Sequence, residues 1–211
     1  MSSIAVPSSE IGSKKKTFKE TQFEAREQAI LEATNRLLGN RGYEMMSMDD
    51  IAGDVGIAKG SLYKHFSSKE SLAAAVMIQL LRRTQAALNS QDPGVSPLKR
   101  LEALLRWILK ERLSGSVPHL PSTSQTLREA LMGNKTYVDT LMSLSDDLGT
   151  LIQAAKAKEE ISEQFVDEFV MYTFYARTCD PTLEFLKAGG NLSDEQIVEQ
   201  MTVACFRGLI K

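Results

Sequence analysis

The sequence predicts an all-α protein with a small N-terminal helical domain and a larger helical domain behind it. Three observations predict this. Beyond residue 19, apolar residues recur at three- and four-residue intervals, and no alternating β-type run occurs. Capping pairs, a hydroxyl residue followed three positions later by an acid or amide, stand at Thr21/Glu24, Ser47/Asp50, Ser67/Glu70 and Ser193/Gln196. Breakers separate the periodic runs: Gly42, Gly56, Asn89 to Gly94, Gly115 to Pro121, and Gly189-Gly190. Together they give about nine helices.

Composition narrows the function. The chain has 211 residues, 43% hydrophobic and 25% charged, enough to bury a core. Net charge is −2, so any binding of nucleic acid must rest on a local patch. Cys179 and Cys205 are far apart, and with His65 and His119 they make no zinc set. They are expected to be free thiols in a reducing compartment. No metal and no cofactor is expected. The N-terminus lacks the apolar core of a secretory signal. The longest apolar region, Leu72 to Leu81, is interrupted by Gln79 and too short to cross a bilayer. A cytoplasmic location is expected.

Residues 1–19 are rich in Ser, Gly and Lys, without a period, and are expected to form a disordered arm. Lys14, Lys15, Lys16 and Lys19 could reach DNA from it, or could simply solubilise the chain. The first helix is expected over 21–40, with Phe23, Ile30, Ala33, Leu37 and Leu38 inward and Gly42 at its end. Tyr43 is expected to cover the pair of short helices after it.

The organising stretch is Ser47 to Lys69. Ser47 caps a helix whose inner face is Met48, Ile51, Ala52 and Val55, and Gly56 ends it. Ile57 is the expected plug of a tight turn. A second helix is expected over 58–65, with Leu62 and Phe66 facing the first. That arrangement is a helix-turn-helix, whose second helix can enter the DNA major groove. From Gly56 to Lys69 there are three lysines, Lys59, Lys64 and Lys69, and no acid. Tyr63, His65, Ser61, Ser67 and Ser68 add hydrogen-bonding groups of the kind that hold phosphates. Three lysines alone describe an ordinary solvated face. Their combination with the turn glycine and the small residues is what favours DNA.

Ser67 or Ser68 opens a long helix reaching about Leu88, with Leu72, Ala73, Val76, Leu80 and Ala87 inward. It is expected to link the two halves. Further helices are expected over 97–113, 126–131 and 135–158, with a loop at 114–124 that holds His119. The stretch 162–187 reads FVDEFVMYTFYARTC from Phe165, and nothing from Phe169 to Ala176 is charged. Such a helix is expected to be buried nearly all round, with a kink at Pro181. The last helix, 193–210, carries Ile197, Met201, Ala204, Cys205 and Gly208 as one stripe. A buried helix followed by an apolar terminal helix points to a homodimer built on 162–187 and 193–210.

Residues 26–72 resemble the DNA-binding domain of TetR-type bacterial repressors. The resemblance is carried by Ile30, Ala33, Leu37, Gly42-Tyr43, Ser47, Ile51-Ala52, Val55-Gly56-Ile57, Lys59 to Tyr63, His65-Phe66, Ser68-Lys69-Glu70 and Leu72. It implies an arm at 1–19, a DNA-binding domain at 20–67, and an effector-binding and dimerisation domain at 68–211. It implies that Lys59, Gly60 and Ser61 lie at base edges, and that Ser47, Tyr63, His65 and Lys69 contact phosphates. Ala58 and Lys64 share this surface. The family often has a hydroxyl residue where this chain has Ala58, and threonine where it has Met46. Ala58 cannot cap, but can touch a thymine methyl.

The resemblance further implies a four-helix interface between two protomers and a near-palindromic operator. It also implies a small-molecule pocket in the second half whose occupant releases DNA. Candidate lining residues are Trp107, Met132, Tyr137, Met142, Phe169, Tyr172 and Tyr175, each of which also reads as plain core. His119 and Arg177 are candidate polar anchors, with a loop histidine and an ion-paired arginine as the ordinary alternatives. An apolar or aromatic effector is preferred. The rival within the same fold is a DNA-bound factor without an effector. An enzyme is disfavoured: there is no Ser-His-Asp set, phosphate-binding glycine loop or metal cluster.

Overall fold

The computed structural model describes residues 17–115, 117 and 124–210. The arm lysines Lys14 to Lys16, and His119, lie outside the described residues. The described chain is all-α: α1 (Phe18–Met45), α2 (Met48–Val55), α3 (Lys59–Leu62), α4 (Lys69–Asn89), α5 (Pro97–Leu113), α6 (Gln125–Met132), α7 (Lys135–Ala157), α8 (Asp167–Thr178), α9 (Thr182–Gly189) and α10 (Asp194–Phe206).

The helices gather around two apolar cores. The first joins Ile30, Leu38 and Tyr43 of α1 to Ile51 of α2, Leu62 of α3 and Leu72 to Met77 of α4. Leu127 and Leu131 of α6 complete it, although α6 lies far along the chain. The second core takes Leu81 and Leu88 from α4, the leucines of α5, Leu144 to Ala155 of α7, Val170 and Phe174 of α8, and Ile197 to Phe206 of α10. Helix α4 therefore belongs to both cores, as a rigid link must. The α6 contribution has no counterpart in the sequence pattern, because an eight-residue segment with two leucines carries no mark of its distant partner.

Local starts differ from expectation where two caps compete. Helix α1 begins one turn early: Thr17 accepts from the Glu20 amide at 3.3 Å, and the Thr17 amide donates to the Glu20 carboxylate at 2.7 Å. The Thr21/Glu24 pair is thus inside the helix. Helix α4 is capped by Ser68 with Ser71, not by Ser67 with Glu70. Glu70 is engaged elsewhere, accepting from the Tyr43 hydroxyl at 3.0 Å. Gly42 sits at φ +73 inside α1, a kink that turns Tyr43 fully into the core.

The segment expected as one helix over 162–187 is two, α8 and α9. Pro181 has no amide to donate, so the ladder stops before it. Arg112 of α5 satisfies two carbonyls at the break, donating to the Thr178 carbonyl at 2.7 Å and the Asp180 carbonyl at 3.3 Å. Nor is α8 buried all round in the single chain: Phe169 is 51% and Tyr172 69% exposed. The α10 stripe also divides. Ile197, Met201 and Cys205 are buried, while Ala204 and Gly208 face outward beside exposed Val203.

Candidate nucleic-acid interface and ligand cavity

The turn between α2 and α3 is built by backbone geometry. Gly56 lies in the left-handed region at φ +74, which L side chains rarely adopt. The Ile57 amide then donates back to the Ala52 carbonyl at 3.0 Å and the Gly56 amide to Gly53 at 3.2 Å. Ser47 and Asp50 cap α2 reciprocally, and the Ser47 hydroxyl holds the Asp50 carboxyl below its ordinary pKa. Leu62 is fully buried, so the opposite face of α3 must point outward.

That outward face carries most of the residues expected to meet DNA. Ala58, Lys59, Gly60, Tyr63 and Lys64 are exposed, Ser61 is half-buried, and Ser47 is exposed beside them at the start of α2. In the free chain the Lys59 ammonium lies 2.7 Å from the Asp49 carboxylate, with both side chains largely in solvent. Helix α3 proper is four residues long, shorter than expected over 58–65. Turn hydrogen bonds carry its direction on to Phe66.

Two expected phosphate contacts take structural positions. The His65 side chain is only 3% exposed and stacks on Phe23 of α1, ring centroids 4.0 Å apart. An imidazole so covered cannot meet a phosphate without leaving its stack. Lys69 donates to the Tyr43 carbonyl at 3.0 Å and sits 4.2 Å above the Tyr43 ring. It ties the end of α1 to the start of α4. Burial, with Glu70 second, pushes the Tyr43 hydroxyl well above its ordinary pKa and keeps it a donor.

In the second half, a cavity of about 550 Å³ opens between α4, α5, α7 and α8. Of the expected lining residues it brings together Tyr137, Met142, Tyr172 and Tyr175. Trp107, Met132 and Phe169 are not in its wall. Trp107 is half-buried beneath the Arg83 guanidinium at 5.8 Å, Met132 is exposed at the end of α6, and Phe169 stacks on Phe165 at 5.5 Å. Arg177 is an ion-pair residue, bound to Asp180. Among the residues missed are the aliphatic wall of α4, Met77, Leu80 and Leu81, and the small polar groups Thr84, Ser145, Thr178 and Cys179. Nothing in the sequence distinguishes such residues from core. Among the described residues no group of side chains could hold a metal. No described helix is long and apolar enough to cross a membrane.

A DNA-reading head joined by a shared helix to a body with an apolar cavity defines a class of regulator. The family model for bacterial regulatory proteins of the tetR family matches residues 30–76, the part of that head from mid-α1 into α4. The repressor KstR2 of Mycolicibacterium smegmatis is 24% identical over 88% of this chain and 91% of its own length. The fold is shared with FadR, a fatty acid degradation regulator from Bacillus halodurans, at a TM-score of 0.68 and 17% identity over 93% of this chain and 98% of that one. It is shared too with AibR in complex with isovaleryl coenzyme A and operator DNA, at a TM-score of 0.63 and 24% identity over 85% and 97%. Residues 30–76 are thus matched as a helix-turn-helix domain of the tetR family, and the chain as a whole shares the fold of these regulators.

Proposed function

We propose that the protein is a homodimeric repressor that leaves its operator when a small molecule fills the cavity. The observation that carries this reading is the position of Tyr137. It lines the cavity and packs against both apolar cores. Its neighbours in the wall, Met77 and Leu80, lie on α4, and Met77 is itself part of the first core. An occupant therefore presses on residues that set how the head sits on the body. A ligand favouring one setting over another shifts the population, and one indifferent to the setting shifts nothing.

The dimer reading rests on α8 to α10. Val166, Phe169, Tyr172, Phe185, Val203 and Ile210 leave large apolar surfaces in solvent in the single chain. Large apolar side chains left exposed in such number on neighbouring elements favour an association surface. Ala204 and Gly208, small and outward, let a second helix approach closely. Two heads then meet successive major grooves about 34–36 Å apart, or a multiple. The DNA contacts proposed are Lys59, Gly60, Ser61 and Ala58 at the bases, and Ser47, Tyr63 and Lys64 at phosphates. His65 and Lys69 are assigned to holding the head together.

Sedimentation equilibrium with and without operator tests this directly. A dimer mass is expected, with Phe169→Asp shifting it to monomer and abolishing tight operator binding. A wild-type monomer mass at every concentration overturns it.

A further inference from the structure

The chemistry of the cavity wall narrows its occupant, on the assumption that this cavity is the effector site proposed above. Seventeen described residues line it, and none is Asp, Glu, Lys, Arg or His. The polar atoms present are hydroxyls and one thiol, and two of the hydroxyls are already spent. Thr84 donates to the Leu80 carbonyl at 3.0 Å, and Thr178 to the Tyr175 carbonyl at 2.7 Å. The Ser145 and Tyr175 hydroxyls lie 2.9 Å apart. Within such a pair one proton is shared inward, and whichever oxygen receives it keeps its own proton free to donate. Tyr172 adds a phenol on a side chain that is 69% exposed, and the Tyr137 hydroxyl is the second open donor on a more buried side chain. Burial raises the pKa of the Tyr137 and Tyr175 phenols, so both stay protonated at neutral pH. The wall thus offers neutral donors at a few points on an otherwise apolar surface.

We propose that the cavity takes an uncharged, largely hydrocarbon molecule bearing a hydrogen-bond-accepting oxygen, gripped by Tyr137 and the Ser145–Tyr175 pair, and excludes ionised molecules. An ionised carboxylate or phosphate entering this wall would lose its water and find no counter-charge among the described lining residues, which disfavours it strongly. A lipophilic cation meets aromatic faces but no carboxylate among the described lining residues. The volume lies within the ordinary range for sites that enclose a small organic ligand, about 300–1,000 Å³. The coenzyme A ester named for AibR carries phosphates, so the preferred ligand of this chain differs in kind from that one.

The test uses the full chain and two fluorescent probes of similar apolar character. Nile red is neutral and carries a carbonyl. Anilinonaphthalene sulfonate is an anion. Nile red is expected to bind at least ten-fold more tightly. The double variant Tyr137→Phe, Tyr175→Phe keeps the rings, and is expected to weaken Nile red roughly ten-fold with no loss of melting temperature. The sulfonate should be indifferent to it. Equal or tighter binding of the sulfonate, no binding of Nile red, or an unchanged Nile red affinity in the double variant each overturn the proposal. Operator release is measured separately. Nile red bound through the two tyrosines without effect on operator affinity would support the cavity chemistry and remove the effector role. Release by the sulfonate would do the reverse.

Discussion

The head and the body solve the same packing problem to different tolerances. In the head, Ile30, Tyr43, Ile51, Leu62 and Leu72 are all essentially without exposure, and several polar groups around them are held by specific partners. Tyr43 alone is held by Glu70 on its hydroxyl and by Lys69 on its carbonyl and ring. In the body, the helices leave a cavity on one side of Phe174 and an apolar surface on α8 to α10. A reading surface has to hold its side chains in register with a duplex. A sensing domain has to have room for something else. The difference shows that the two halves are not simply a stable and a less stable domain; the empty volume sits where a ligand would act on the shared helix.

The contrast can be broken by comparing matched truncations. Ile51→Ala, in the closed head, should cost about 2–5 kcal/mol in urea unfolding. Met142→Ala, at the exposed lip of the cavity, should cost under about 1 kcal/mol. Similar losses at both sites would remove the distinction.

Next in size is a polar clasp in the body. The Lys156 side chain is 9% exposed, pairs with Asp167 and donates to the Phe165 carbonyl at 2.5 Å. The Lys156 hydrogen bond holds the Asp167 carboxyl below its ordinary pKa. A carboxylate depressed in the folded state contributes stability above its unfolded pKa, and that stability fades as pH falls through the folded value. Asp167→Asn should therefore cost about 2 kcal/mol at neutral pH. The cost should shrink below about pH 4, where the wild type loses the same interaction. A penalty independent of pH would contradict the pairing. Smaller again, Gly56→Ala should cost about 1–2 kcal/mol, because no side chain crowds the site and only the left-handed backbone resists it. Smallest in energy is Lys64→Ala. It should leave stability unchanged and reduce the salt slope of DNA binding by about 1, whatever the sequence of the duplex.

Legibility in the sequence tracks how local each signal is. The helix-turn-helix was readable because its determinants are neighbours: Ser47 with Asp50, Gly56 with Ile57, Leu62 four residues before Phe66. Where two local signals overlap, at Thr17 and Thr21 or at Ser67 and Ser68, spacing alone does not choose. The His65 role was hidden, because it depends on Phe23 arriving from the start of α1. The uncharged run from Phe169 to Ala176 reads as a helix buried nearly all round, which the single chain does not show. It did not say whether this chain or another would cover it, and in the single chain Phe169 and Tyr172 stay exposed. The cavity was half visible. Its tyrosines stand out in sequence, while Ser145, Thr84 and Thr178 look like any hydroxyl on a helix.

The central claim is that the face of α3 opposite Leu62 reads duplex DNA in sequence, twice per dimer. Selection from a random duplex pool at moderate salt, with no small molecule added, tests it most directly. Enrichment of one short motif repeated as an inverted pair, at a constant spacing near one helical turn or a multiple of it, is the expected result. A pool that emerges without any preferred sequence would contradict it.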